Sequence, residues 1–358
     1  MEKVIIITGG AGFIGSALAR RLGSNGLPIV AVDILHPQIH PEQKRPDELP
    51  SFVTLHVGDV TQSATWDEVL MRWEPEIVIH LAAETGTGQS LTEATRHADV
   101  NVVGTTTMLD AFSRRGIRPK HLVLASSRAV YGEGAWCDEH GSVFYPAPRS
   151  HRILAARKWD PLPPCGIGRV TALPHSAARV FPAPTSVYGA TKLAQEHILT
   201  AWCGAMQIPL SILRLQNVYG PGQSPFNAYT GIITLFIRLA RKGHRLEIYE
   251  DGKIGRDFVF IDDVISALVA GISSPPIERR TLDVGSGVAT TIFEAGSTVA
   301  SQHKAPAPEI CGKFRDGDVR WAVADPGPLA EQLNVKAQVS FEEGARRVAD
   351  WLIDRGHA

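Results

Sequence analysis

A short apolar run, Val4 to Ile7, leads into Thr8-Gly9-Gly10-Ala11-Gly12-Phe13-Ile14-Gly15, and Ser16 to Leu22 follows with helical character. No other stretch restricts the fold as tightly. A buried strand that turns on glycines into a helix is the opening of a dinucleotide-binding βαβ unit. Gly9 permits the tight turn, Gly12 lets the main chain approach a pyrophosphate, and Gly15 lets the helix lie close to the sheet. The helix N-terminus offers free N–H groups and a positive dipole end to that anion. Gly9, Gly12, Phe13, Ile14 and Gly15 are therefore expected to hold the cofactor. Asp33 ends the second expected strand, Pro28 to Asp33. Its carboxylate suits the hydroxyls of an adenosine ribose and would repel a 2′-phosphate, and no arginine follows in Ile34-Leu35-His36. The expected cofactor is NAD rather than NADP.

The rest of the first half alternates strand and helix. Ser51 to Val57 reads as a strand closed by Gly58-Asp59-Val60. Asp59, beside Val60, is expected either to accept the adenine amine or to cap the helix at Ala64 to Trp73. Glu76 to Leu81 is a fourth strand, and Leu81, Ala82 and Ala83 are small enough for a dinucleotide to pass close. The polar loop from Glu84 and Thr85 to Ser90 lies at that strand's carboxyl end, where open parallel sheets bind ligands. A helix is expected over Leu91 to Arg115, with Asn101 bracing the nicotinamide side. Lys120 to Ser126 is a fifth strand. The βα order argues an α/β chain with a doubly wound parallel sheet.

Residues 133–184 break this rhythm. They are rich in Pro, Arg and His and read as an insertion near the active site. Regular pattern resumes at Thr185, with a helix to Met206 and a strand over Pro209 to Leu215. The expected division is a Rossmann-type region over 1–185, with 186–358 supplying the rest of the sheet and a smaller C-terminal substrate lobe.

Tyr188 and Lys192 are four apart and share one helical face. A tyrosine ionises near pH 10, and an ammonium one turn away would favour its phenolate. Such a tyrosine can act as a general base. Ser127, at the mouth of the fifth strand, can hydrogen-bond the same substrate oxygen. Ser127, Tyr188 and Lys192 are the expected catalytic set, with Tyr188 and Lys192 also touching the cofactor.

Composition narrows the partners. The formal net charge of −1 over 358 residues gives no general attraction for nucleic acid. The first strand begins almost at Met1, which leaves no room for a signal peptide, and no apolar run is long enough for a bilayer. Cys137, Cys165, Cys203 and Cys311 are scattered without metal-ligand spacing. They read as free thiols of a cytoplasmic protein, and no metal site is expected.

These motifs, with Asn217 to Pro221 and Arg256 to Asp263, make the chain resemble the extended short-chain dehydrogenase/reductase family, in its nucleotide-sugar epimerase and dehydratase group. The resemblance implies catalysis by Ser127, Tyr188 and Lys192. It implies a sugar-nucleotide diphosphate held by Asn217 and Arg256, with Arg320 a further phosphate ligand and Glu84, Thr85 and Arg128 in the substrate pocket. It also implies a homodimer paired through the helices containing Asn101 and Tyr188. Dehydratases of this group carry an acid pair after the catalytic hydroxyl, where this chain has Arg128 and Ala129. That favours C4 epimerisation by oxidation and re-reduction. The loops at 83–90 and 127–134 look most like those of epimerases acting on dTDP-6-deoxyhexoses such as dTDP-L-rhamnose. Other readings are a UDP-glucose/UDP-galactose 4-epimerase, a 4-keto sugar-nucleotide reductase and a non-catalytic dinucleotide sensor.

Overall fold

The computed structural model describes residues 1–23, 26–225 and 231–356. Seven parallel strands form the central sheet. They are β1 (Glu2–Thr8), β2 (Ile29–Asp33), β3 (Thr54–Val57), β4 (Trp73–His80), β5 (His121–Ser127), β6 (Leu210–Leu215) and β7 (Arg279–Val284). Their order is β7-β6-β5-β4-β1-β2-β3. The order reverses between β1 and β4, so the crevice for a ligand opens where the glycine turn and the β4 exit lie side by side.

Each face of the sheet is buried, as the apolar runs require. Ile5 and Ile7 of β1 point into one core, with Leu18 and Leu22 of α1 (Phe13–Leu22). Val4 and Ile6 point into the other core. There they meet α2 (Ser63–Arg72), α3 (Gly104–Arg115) and α4 (Val187–Met206), through Trp66, Phe112 and Leu199. Val264 and Leu268 of α5 (Ile261–Ser273) join α1 on the first face.

The helix expected over Leu91 to Arg115 runs without a break from Ala94 to Arg115, with a π-turn set into it. A 3₁₀ turn at Gln89–Leu91 precedes it, and the π-turn at Asp99–Val103 joins its opening at Ala94–Ala98 to α3. The π-turn contains Asn101, whose amide is spent on other segments of the chain. Residues 133–184 are not patternless either. Trp136–Asp138 pairs antiparallel with Val143–Phe144 and with Val170–Ala172, and a helical turn spans His151–Ala155. Beyond β6, short pairings build a smaller lobe: 217–219 with 258–260, and 255–256 with both 290–291 and 321–322.

Candidate active site

The glycine turn has the shape its composition predicts. Gly9 has φ +65°, and a Cβ there would come 2.8 Å from the amide nitrogen of Ala82. A Cβ on Gly15 would come 2.5 Å from the carbonyl oxygen of Gly9. Gly12 sits at the N-cap of α1, no side chain caps that end, and no acid lies in the first turn. The helix therefore presents uncapped N–H groups beside Phe13 and Ile14. Asp33 accepts from the main-chain N–H groups of Ala11 (3.0 Å) and Leu35 (2.9 Å). These bonds tie the carboxylate to the turn and leave lone pairs on both oxygens. Leu81, Ala82 and Ala83 are half-buried at the β4 exit. A narrow glycine cradle, an uncapped helix end and a held carboxylate together fit a dinucleotide without a 2′-phosphate.

Asp59 accepts from Thr61 N (2.9 Å), while the residue at the N-cap of α2 is Gln62, so Asp59 shapes the turn without capping the helix. Val60 is buried, and its carbonyl takes the Trp66 indole N–H. Asn101 does not offer its amide to a ligand. Its Oδ1 accepts from Glu84 N (2.8 Å), and its Nδ2 donates to Glu84 O (3.0 Å) and Thr191 Oγ1 (2.9 Å). It braces the β4 exit against α4. The Glu84 carboxylate is taken by Arg96 at 2.7 Å, and Thr85 is exposed.

A cleft lies between the β5 exit, the start of α4 and the segment 317–319, and its walls include Thr87, Arg128, Ser186 and Asp318. Ser127, with its Oγ accepting from Ala129 N, opens the turn that carries Arg128. Ser186 caps α4 by accepting from Gly189 N, which sets Tyr188 in the first turn. Burial raises the Tyr188 phenol above its ordinary range, while a hydrogen bond with Ser127 and the charge of Arg128 pull it down. The Lys192 ammonium points to Gln195 Oε1 at 2.5 Å. Burial lowers it to about 7, against the pull of Glu196. Arg128 adds a cation beside Tyr188 that spacing along the chain did not reveal.

Arg128 donates from Nε to Asn217 Oδ1 at 2.6 Å. Desolvation, then repulsion from Arg256, lowers it to about 9, opposed by Asp318 and Tyr188. Arg256 is buried and donates to Gly255 O, to Val319 O and to Asp318 Oδ1 at 2.6 Å. Arg128 and Arg256 thus share one carboxylate, which leaves an excess of positive charge fit for a pyrophosphate. Arg320 does not join them. Its guanidinium is engaged by Asp160, Glu250 and Asp251, and both prongs of its fork lie on Asp251. A phosphate has no edge left to bind, so Arg320 is a structural ion pair.

Sequence reasoning missed several groups. Asp318 and Arg315 belong to the same 315–320 run as Arg320, and Arg315 lies over the Tyr249 ring (5.2 Å) within the field of Asp318. His97 is buried edge-on to Tyr188, with ring centroids 6.4 Å apart, and its Nδ1 lies 2.9 Å from Glu93 O. The i, i+4 spacing from Glu93 to His97 was the only local signal. Among the described residues no group of His, Cys, Asp or Glu could hold a metal, and no helix is long and apolar enough to cross a membrane.

Known proteins place this architecture. Residues 5–150 and 165–285 match the model of the NAD dependent epimerase/dehydratase family. The chain is 52% identical over 350 residues to a dTDP-L-rhamnose 4-epimerase of Burkholderia thailandensis, covering 98% of this chain and 95% of that protein. It is 27% identical to a probable UDP-glucuronate 4-epimerase of Rhizobium meliloti, covering 97% and 96%. Among solved structures, a UDP-glucose 4-epimerase of Thermus thermophilus in complex with NAD superposes with a TM-score of 0.76 at 26% identity, over 99% of this chain and all of the other. Matched over most of its length by the family model, and over nearly all of it by a relative at 52% identity, this chain belongs to the NAD-dependent epimerase/dehydratase family.

Proposed function

We propose that this protein inverts C4 of a dTDP-6-deoxyhexose, with dTDP-L-rhamnose the substrate, by oxidation and re-reduction at that carbon. The observation that carries the chemistry is the bond from Arg128 Nε to Asn217 Oδ1 directly beyond Ser127. A dehydratase needs a proton donor at that place to expel a hydroxyl, and a guanidinium held on an amide cannot serve. The 52% likeness to a dTDP-L-rhamnose 4-epimerase, against 27% to a probable UDP-glucuronate 4-epimerase, supports the sugar and the base.

NAD, when bound, supplies the acceptor and the donor of the C4 hydride. In this reading Tyr188 takes the proton of the C4 hydroxyl, and Ser127 holds that oxygen. Lys192 orders the nicotinamide ribose beside them. Arg128, Asn217 and Arg256 anchor the nucleotide diphosphate, so the 4-keto sugar can turn without leaving. Tyr188 then returns its proton to the oxygen on the new face. The ions already paired in the cleft support this assignment, because a pyrophosphate can share Arg256 and Arg128 with Asp318.

The same reading makes residues 186–358 the partner lobe of the NAD-binding region and the protein a cytoplasmic homodimer. The helix that carries Asn101 and runs on into α3, with Val103 exposed on it, would pair with α4, which carries Tyr188, across a two-fold axis. Light scattering at micromolar concentration should give twice the chain mass, and a monomer there removes the dimer. The reaction is tested by incubating the protein with dTDP-L-rhamnose and a panel of dTDP- and UDP-sugars, reading C4 configuration by NMR. A new C4 epimer from dTDP-L-rhamnose is expected. Conversion of UDP-glucose alone would replace this substrate with the UDP-hexose reading.

A further inference from the structure

Behind Lys192 lies a run of buried polar side chains that begins in the glycine turn. Thr8 Oγ1 accepts from the N–H groups of Leu81 (3.2 Å) and Ala82 (3.1 Å) and contacts His80 Nδ1 at 2.7 Å. With its lone pairs so used, the Thr8 hydroxyl donates its proton to Nδ1. His80 is then the neutral tautomer bearing its hydrogen on Nε2, which fits a ring kept neutral by burial and by repulsion from Lys192. That Nε2–H donates to Thr105 Oγ1 at 2.9 Å. Thr105 sends its own proton to Asn101 O at 2.6 Å and accepts a second bond from Gln195 Nε2 at 2.9 Å. The 3.2 Å approach of Gln195 Nε2 to His80 Nε2 is therefore a contact of two donors. With its NH₂ fixed on Thr105, Gln195 must turn Oε1 the other way, and there it receives the Lys192 ammonium at 2.5 Å. Thr8, His80, Thr105 and Gln195 are all fully buried, and every proton in the run has one consistent direction.

We infer that Gln195 is a positioning residue for Lys192, oriented by Thr105 and His80 from the glycine turn, so that cofactor cradle and catalytic lysine form one hydrogen-bonded unit. This rests on the reading that Lys192 serves the reaction. One N–H of the ammonium is committed to Gln195, which leaves two for the cofactor in that reading. The charged and titratable groups around Lys192 are few. Glu196 is the neighbouring anion on α4, already engaged by Ser126 and Arg214, and His80 on β4 is neutral. Gln195 is thus the neutral acceptor that sets where the ammonium sits.

The test compares Gln195→Met, Gln195→Glu, Thr105→Val, Thr105→Ser and Lys192→Met in the full NAD-loaded protein, with kcat, KM and the pH profile of kcat. Gln195→Met and Thr105→Val should each lower kcat by roughly tenfold, the worth of one charge-assisted hydrogen bond. KM should hold, since neither side chain reaches the substrate. Thr105→Ser keeps the hydroxyl and should match the wild type. Gln195→Glu places a carboxylate on the ammonium and favours its charged form, so the alkaline limb of kcat should move to higher pH. A merely structural role would leave that limb in place. If Lys192→Met is inactive while the alkaline limb of Gln195→Glu is unmoved and Thr105→Val keeps full kcat, the inference is overturned. Near wild-type turnover in Lys192→Met would instead remove the reading beneath it. Gln195→Glu and the Thr105 pair carry the test should Gln195→Met fail to fold.

Discussion

At the scale of single residues, the proposed reaction gives proton transfer to Tyr188, with the charge of Arg128 acting on its phenol. Tyr188→Phe keeps the ring packing against His97 and removes the ionisable oxygen. Turnover should fall by roughly 10²–10⁴, the usual loss of a general base, while NAD affinity by calorimetry is retained. Ser127→Ala should cost less, because Tyr188 can still take the proton. Arg128→Met tests the electrostatic assignment. Removing a cation that lowers Tyr188 raises the pH at which the phenolate forms, so the acid limb of kcat should shift upward. An unmoved limb would hand the role to another group. The glycine turn and Asp33 were legible in the sequence because a φ of +65° and a strand-end carboxylate are local properties. The division of labour in the 315–320 run was not legible. Arg320 is claimed by Asp160 and Glu250, which are distant in sequence, and that left the neighbouring Asp318 to face the cleft.

At the scale of elements, the insertion is the part composition described least well. A segment that leaves just after Ser127 and returns just before Tyr188 has both ends at the active site, which would make it a cover with Arg149, His151 or Arg152 near substrate. The structure gives Arg149 a different place. It donates to Glu133 Oε1 (3.0 Å), to Glu250 (2.9 Å) and to the carbonyl of Asp318 (2.8 Å), all but sealed from solvent. His151 is exposed on Asp316. The insertion thus grips the segment that carries Asp318, and no periodicity could reveal a pairing between residues 149 and 250. Arg149→Met would leave Glu133 buried without its cation. Loss of about 3–5 kcal/mol is expected, as for a broken buried pair, seen as a lower urea midpoint. An unchanged midpoint would mean the network contributes nothing to the fold. The π-turn within the helix at 94–115 teaches the same lesson. Its apolar spacing is helical, but the bonds of Asn101 to Glu84 and Thr191 coincide with a π-turn.

At the scale of the whole molecule, three histidines set the response to acid. Burial lowers His80 and His175 to about 3 and His121 to about 4, each from an ordinary 6.5. Below pH 6.5 the unfolded chain binds up to three protons that the folded chain refuses. Stability therefore rises with pH through this window and is lost as pH falls. Asp283, which burial raises to about 6, opposes them by taking up a proton in the folded chain first, so the slope is on the order of 3 kcal/mol per pH unit between about pH 6 and 4. Urea midpoints taken from pH 8 down to 4.5 should fall steeply below pH 6, and a flat series would mean these rings accept protons without unfolding. The central claim concerns the fate of one hydrogen. If C4 is oxidised and reduced within a single bound complex, a dTDP-sugar carrying deuterium at C4 must yield an epimer that keeps it, in ordinary water, with no solvent hydrogen at that carbon. Mass and NMR analysis of the product should show that full retention, and washout of the label would contradict the account by pointing to proton abstraction at carbon.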